Sequence, residues 1–135
     1  MKYLLAMGLA VACAVPIAGC GGGQDRAALA KQAIVVYWSD VNHGKLGAAY
    51  SMLTSGNRAV TTFNAYRQNM FGFLTHVTGV TVTPGKPQIT DDRATVAINL
   101  HSPAAPGSFK AWQHLFWEGG GWRISDQNGG VSSTK

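Results

Sequence analysis

Residues 92–101 read Asp-Arg-Ala-Thr-Val-Ala-Ile-Asn-Leu-His. Ala94, Val96, Ile98 and Leu100 alternate with Thr95, Ala97, Asn99 and His101, a period of two. A helix would repeat its apolar positions every three or four residues. The stretch is therefore expected to form a strand with one face on a core and the other wet, as strands of antiparallel sheets commonly do. Asp91-Asp92 in front of it suits a turn, because short polar side chains hydrogen-bond to their own backbone.

Downstream, Pro103 to Gly107 reads as a loop and Phe109 to Trp117 as a long strand. Phe109, Leu115 and Trp117 fall on one face, Trp112 and Phe116 on the other, which implies cover on both sides. Glu118-Gly119-Gly120-Gly121 suits a hairpin, and Trp122-Arg123-Ile124-Ser125 the returning strand. Upstream, Val80 and Val82 alternate with threonines, Pro84-Gly85 and Pro87 interrupt, and Ile89 heads a short strand.

Before Val80 the period lengthens. Asp25 is placed to cap a helix running to about Asn42, with Ala30, Ile34, Tyr37, Trp38 and Val41 on one broad face. Gly44 sits where a glycine ends a helix. A second helix is expected around Leu46 to Leu53, ended by Ser55-Gly56. A third is expected from a cap at Thr61 or Thr62 to about His76, its stripe made of Phe63, Tyr66, Met70, Phe73 or Leu74, and Val77. Helices first and strands second predict an α+β fold: N-terminal helices packed on a curved antiparallel sheet.

Three patterns give this order a relative. They are Tyr37-Trp38, Gly44 and Ala48-Ala49-Tyr50-Ser51-Met52-Leu53; then Asp92-Arg93-Ala94-Thr95-Val96; then Gly119-Gly120-Gly121-Trp122-Arg123-Ile124. Over roughly residues 25–126 the chain resembles the nuclear-transport-factor-2-like superfamily of cone-shaped α+β domains. The resemblance implies a cone built by helices against the sheet, with dimerisation through the exposed sheet face as one option. The superfamily includes non-catalytic modules as well as isomerases, dehydratases and epoxide hydrolases, so the fold does not choose an activity.

The first 20 residues carry an address. Lys2 precedes an uncharged apolar run from Tyr3 to Val15, and Ile17-Ala18-Gly19-Cys20 puts two small residues before a cysteine. This resembles a bacterial lipoprotein signal, with Ile17 where leucine is usual. The run is too short for a spanning helix, which needs about 20 apolar residues, and Pro16 follows it directly. Residues 1–19 are expected to be cleaved as a signal peptide and Cys20 to be lipidated. Residues 20–24 then form a glycine-rich tether, 25–127 the domain and 128–135 a flexible tail. Gly21 is not the aspartate that resembles an inner-membrane retention signal. Outer-membrane sorting is thus expected in a Gram-negative envelope.

Composition bounds the rest. Cys13 would leave with the signal and Cys20 would be acylated, so the two cysteines leave none for a disulfide or a thiolate metal site. The 11 basic and 6 acidic residues give +5, but the bases are spread singly, without the stripe that nucleic acid requires. No metal and no cofactor is expected.

Catalysis finds little support in the residue census. Asp25 reads as a cap, Asp91 and Asp92 as a turn, Glu118 as hairpin and Asp126 as a strand end. Asp40 alone lies within a helix, beside Val41, and no two acids are spaced as a paired-carboxylate site would require. His43 and His76 end helices, where positive charge suits the dipole. His101 and His114 lie on neighbouring strands. A turn near Ala105 would pair His114 with Thr95 or Val96 and keep the two rings more than about 15 Å apart. No nucleophile elbow, P-loop, zinc-helix or dinucleotide motif occurs.

Aromatics are the more suggestive set. Tyr37, Trp38, Tyr50 and Trp112 are expected to converge on a partly open cone, with His101 or His114 the nearby titratable group, as the lining of an apolar pocket. The expectation is a membrane-anchored envelope lipoprotein that binds a partner protein or a small apolar ligand without catalysis. The alternatives are a SnoaL-like or ketosteroid-isomerase-like enzyme, and a spacer or surface-exclusion lipoprotein. The anchor is directly testable: Cys20→Ser should abolish incorporation of an alkyne-tagged fatty acid. Continued labelling of that variant would show the acylation site to lie elsewhere.

Overall fold

The computed structural model describes residues 25–76, 79–103 and 107–125, with the His76 side chain left aside. The proposed signal, Cys20, the tether, Val77, Ala105, Asp126 and the tail lie outside these residues. Among the described residues four helices precede five strands: α1 Arg26–Asn42, α2 Leu46–Ser51, α3 Ser55–Val60, α4 Phe63–His76, β1 Thr81–Pro84, β2 Gln88–Thr90, β3 Arg93–His101, β4 Ser108–Glu118 and β5 Gly121–Ser125. The fold is α+β, with the helices packed on a curled antiparallel sheet.

Local chemistry sets the element ends. The Asp25 carboxylate accepts from the Ala27 amide at 3.0 Å and caps α1. Beyond His43, Gly44 adopts φ +70°, a left-handed conformation that glycine reaches without strain. Thr62, rather than Thr61, caps α4 through its hydroxyl to the Ala65 amide. Gly119 and Gly120 both have positive φ, which a tight hairpin requires.

The second helix differs from expectation. It stops at Ser51, and Ser55-Gly56 opens α3 instead of ending α2. Thr54 explains this, because its hydroxyl accepts from the Asn57 amide and nucleates a new turn. Ser55 and Gly56 then sit in a first turn, whose amides lack intrahelical partners anyway. Leu53, expected to be helical, instead forms a parallel bridge with Ile124. Thr54 donates to the Ile124 carbonyl and Ile124 donates to Met52, both at 2.9 Å. That short segment therefore covers the free edge of β5.

The sheet order is β1-β3-β4-β5, with β2 also paired to β3. β1 runs along the second half of β3 and β2 along the first, so they act as one interrupted edge strand. The interruption holds Gly85, whose amide donates to the Ala97 carbonyl at 2.7 Å. A Cβ on Gly85 would stand 3.1 Å from that oxygen, so the close approach favours glycine.

α1 crosses one face of this sheet diagonally. At its start the Trp122 indole N–H donates to the Arg26 carbonyl at 2.8 Å. At its end the Asn42 amide side chain both donates to and accepts from the Val80 backbone. Between these points Ala30, Ile34, Tyr37, Trp38 and Val41 are buried, the set its spacing predicts. They meet Ala94, Val96, Ile98, Leu115, Trp122 and Ile124 in one core. Burying each large apolar side chain contributes about 1.5–3 kcal/mol. Phe63, expected in the α4 stripe, is exposed at the helix start, whereas Tyr66 and Met70 are buried.

Among the described residues α1, α2 and α4 pack on this face, while α3 borders the β4–β5 end of the other beside Phe116 and Glu118. Arg93, Thr95, Ala97, Asn99, Lys110, Trp112, His114 and Phe116 project from the other and are exposed or half-buried. The expectation that β4 is covered on both sides is thus corrected. Its second aromatic face looks away from α1, so apolar content there does not imply burial.

Trp122 is buried and holds the start of α1, so Trp122→Ala should cost about 3–5 kcal/mol, as large-to-small aromatic changes do. Urea melts give the value; a loss below about 1 kcal/mol would contradict this packing role.

Candidate functional site

Three of the four predicted pocket aromatics do come together. The Tyr37 and Trp38 rings meet edge-on at 5.6 Å, and Tyr50 lies 5.4 Å from Tyr66. The Tyr37 and Tyr66 hydroxyls hydrogen-bond at 3.0 Å inside the core. The Tyr50 hydroxyl donates to the Thr61 carbonyl at 2.6 Å, and Trp38 packs on Phe73 at 6.0 Å. These side chains come from α1, α2 and α4. Their rings touch one another and their tyrosine hydroxyls are engaged, so they act as the packed joint between helices.

Trp112 does not join them. It pairs with Ala97 and lies on the uncovered face, half-buried, with the sheet between it and Tyr37. His114 shares that face, pairs with Thr95 as expected, and has Nδ1 3.3 Å from the Thr95 hydroxyl. His101 is exposed at the far end of β3, opposite Thr81 and Ser108. Neither histidine lines the helix–sheet interior. Strand periodicity assigns residues to two faces but does not say which face the helices will meet.

Asp92 and Glu118 reach partners far along the chain rather than within their own turns. Asp92 pairs with Arg26 at 3.0 Å, and Glu118 accepts from the Ser55 amide. The Arg26 guanidinium also lies 4.3 Å from the Trp117 ring centre and 4.9 Å from that of Trp122. With Asp92 well exposed, the ion pair adds little, and the cation–π contacts organise this corner. Among the described residues no group of three His, Cys, Asp or Glu could hold a metal ion.

Gln113 is the residue that sequence reasoning passed over. It lies between Ala111 and Leu115 on the helix-facing side of β4 and is fully buried. Neither its amide nitrogen nor its oxygen has a hydrogen-bond partner among the described residues, and the same holds for the Trp38 indole nitrogen. A polar residue interrupting the alternation Ala111, Leu115 was the available signal.

On the uncovered face a groove of about 360 Å³ is lined by residues that include Thr83, Gly85, Ala97, Asn99, Lys110 and Trp112. A wider hollow of about 610 Å³ lies where α3 approaches the sheet, between Asn57, Val60, Phe116 and Glu118. The groove combines an indole, an ammonium, an amide and a hydroxyl. It has the makings of a recognition surface and lacks a paired acid and base.

Compared with known proteins, the chain matches no family model and no curated protein.

The buried amide makes a testable statement. An unpartnered buried polar group costs about 1–3 kcal/mol, so Gln113→Met, of similar volume, should stabilise the domain by about that amount. Chemical denaturation measures it. A clear loss of stability would show that the Gln113 amide is hydrogen-bonded.

Proposed function

We propose that this chain is a membrane-anchored envelope lipoprotein that acts by binding, through the sheet face its helices leave uncovered. One observation carries the reading: the aromatics expected to line an interior pocket are packed together, while Trp112, His114 and Phe116 line up half-exposed along β4 on the other face. Arg93 stacks on Phe116 with 5.4 Å between guanidinium carbon and ring centre, and Lys110 and Arg123 flank the row. Aromatic groups and arginines are what binding surfaces concentrate.

The Cys20 box supplies the attachment in this reading. Each buried acyl CH₂ contributes about 0.8 kcal/mol and two chains anchor stably, so the domain surface need not bind lipid. From Cys20 to Asp25 the chain spans at most about 18 Å, which keeps the start of α1 near the bilayer. The order of helices and curled sheet is compatible with the cone of the nuclear-transport-factor-2-like superfamily, and we place the domain there.

A photoreactive phenylalanine analogue tests the surface. Placed at His114 or Phe116 in the acylated chain, it should give discrete crosslinks in intact envelopes, whereas at Arg67 on α4 it should give none. Crosslinking from Arg67 alone would move the binding surface to the helices.

A further inference from the structure

The groove has a construction that points to a class of ligand. Thr83, Asn99 and Lys110 stand directly opposite one another on β1, β3 and β4. Cross-strand neighbours lie about 4.5–5.5 Å apart, so a hydroxyl, an amide and an ammonium form one row across three strands. All three residues are exposed. The next row on this face holds Ala97 opposite Trp112. Ala97 is small, and Gly85 beside it has no side chain and donates to the Ala97 carbonyl. Two small residues thus open the hollow that the indole borders, and the polar row closes its other side.

We propose that this groove binds an anionic glycan, a chain of pyranose rings bearing carboxylates. The apolar face of a sugar ring fits the indole and the Ala97–Gly85 floor. Ring hydroxyls match the Asn99 amide and the Thr83 hydroxyl, which donate and accept. Lys110 is the one charged residue lining the groove among the described residues, and it would hold a carboxylate through a charge-assisted hydrogen bond.

Other occupants suit it less well. The floor is paired backbone, the β3–β4 ladder together with Gly85 bonded to the Ala97 carbonyl, so an extended peptide finds no strand edge there to extend. The face carries three cations, Arg93, Lys110 and Arg123, spread over three strands, short of the basic cluster of about four or more that docks on an anionic bilayer. The proposal rests on the reading of the uncovered sheet face as the binding surface and names what that surface takes.

The test uses the acylated full-length protein in neutral lipid nanodiscs. Hexagalacturonate is the probe, with cellohexaose, hexaglutamate and phosphatidylglycerol vesicles as comparisons. Hexagalacturonate should bind with a change in tryptophan fluorescence, and at least tenfold more tightly than cellohexaose. Lys110→Gln should weaken it at least fivefold. Ala97→Leu, which fills the hollow from an exposed position, should weaken it at least tenfold with an unchanged thermal melt. Trp112→Ala should do likewise.

Failure of hexagalacturonate to bind, or equal binding by the Lys110→Gln and Ala97→Leu variants, would overturn the proposal. Tighter binding of hexaglutamate or of the vesicles would overturn it in favour of an acidic peptide or a lipid surface. Crosslinking from His114 and Phe116 without glycan binding would leave the surface assignment standing and refute the glycan alone.

Discussion

The seating of α1 across the sheet is the constraint on which the rest of the molecule depends. The helix is held at both ends, by the Trp122 indole on the Arg26 carbonyl and by the Asn42 amide on the Val80 backbone. Between them its apolar stripe meets the inward residues of β3, β4 and β5. With the ends fixed, the crossing angle is fixed, and so is the face that becomes core. The opposite face is then left to the solvent or to a partner.

The sheet edges follow from the same arrangement. The segment Met52–Thr54 leaves α2 and bonds to β5, which occupies hydrogen-bonding groups that an edge strand would otherwise present. On the other side the edge is broken between β1 and β2, where Gly85 bends in to Ala97 and Pro87 has no amide to donate. A broken edge is a poor template for further pairing. The proposed binding surface is accordingly the broad face with its groove, not an edge.

The interior shows how polar groups divide the aromatic set. The hydroxyls of Tyr37, Tyr50 and Tyr66 bond to one another or to backbone carbonyls, so these residues fill volume without leaving a polar tip in apolar surroundings. They join α1, α2 and α4, and the many aromatics there serve packing. Gln113 departs from this pattern, because a buried amide with no partner among the described residues is a cost that the surrounding burial offsets. The three cations and the aromatics on the other face carry no such burden, being partly in water.

Much of this was legible in the residues. Asp25 and Gly44 bound α1 by capping chemistry, its 3.6 period picks out the five buried side chains, and the alternation in 93–101 predicts its inward residues. The length of the turn narrows His114's partner to Thr95 or Val96, and Thr95 is the one it meets. These are local properties, set by backbone dihedrals and side-chain direction within a few residues. Other features belong to the tertiary structure. α3 forms because Thr54 is held on β5 and turned to cap it, although Ser55-Gly56 reads locally as a stop. Trp112 and Phe116 carry enough apolar surface to pass for core, and a period of two separates them from Leu115 without saying which set faces inward. α1 decided that, by resting on one side of the sheet and being pinned there at both ends. Contacts between residues some 40 to 100 positions apart in the chain hold it, and no local pattern encodes them.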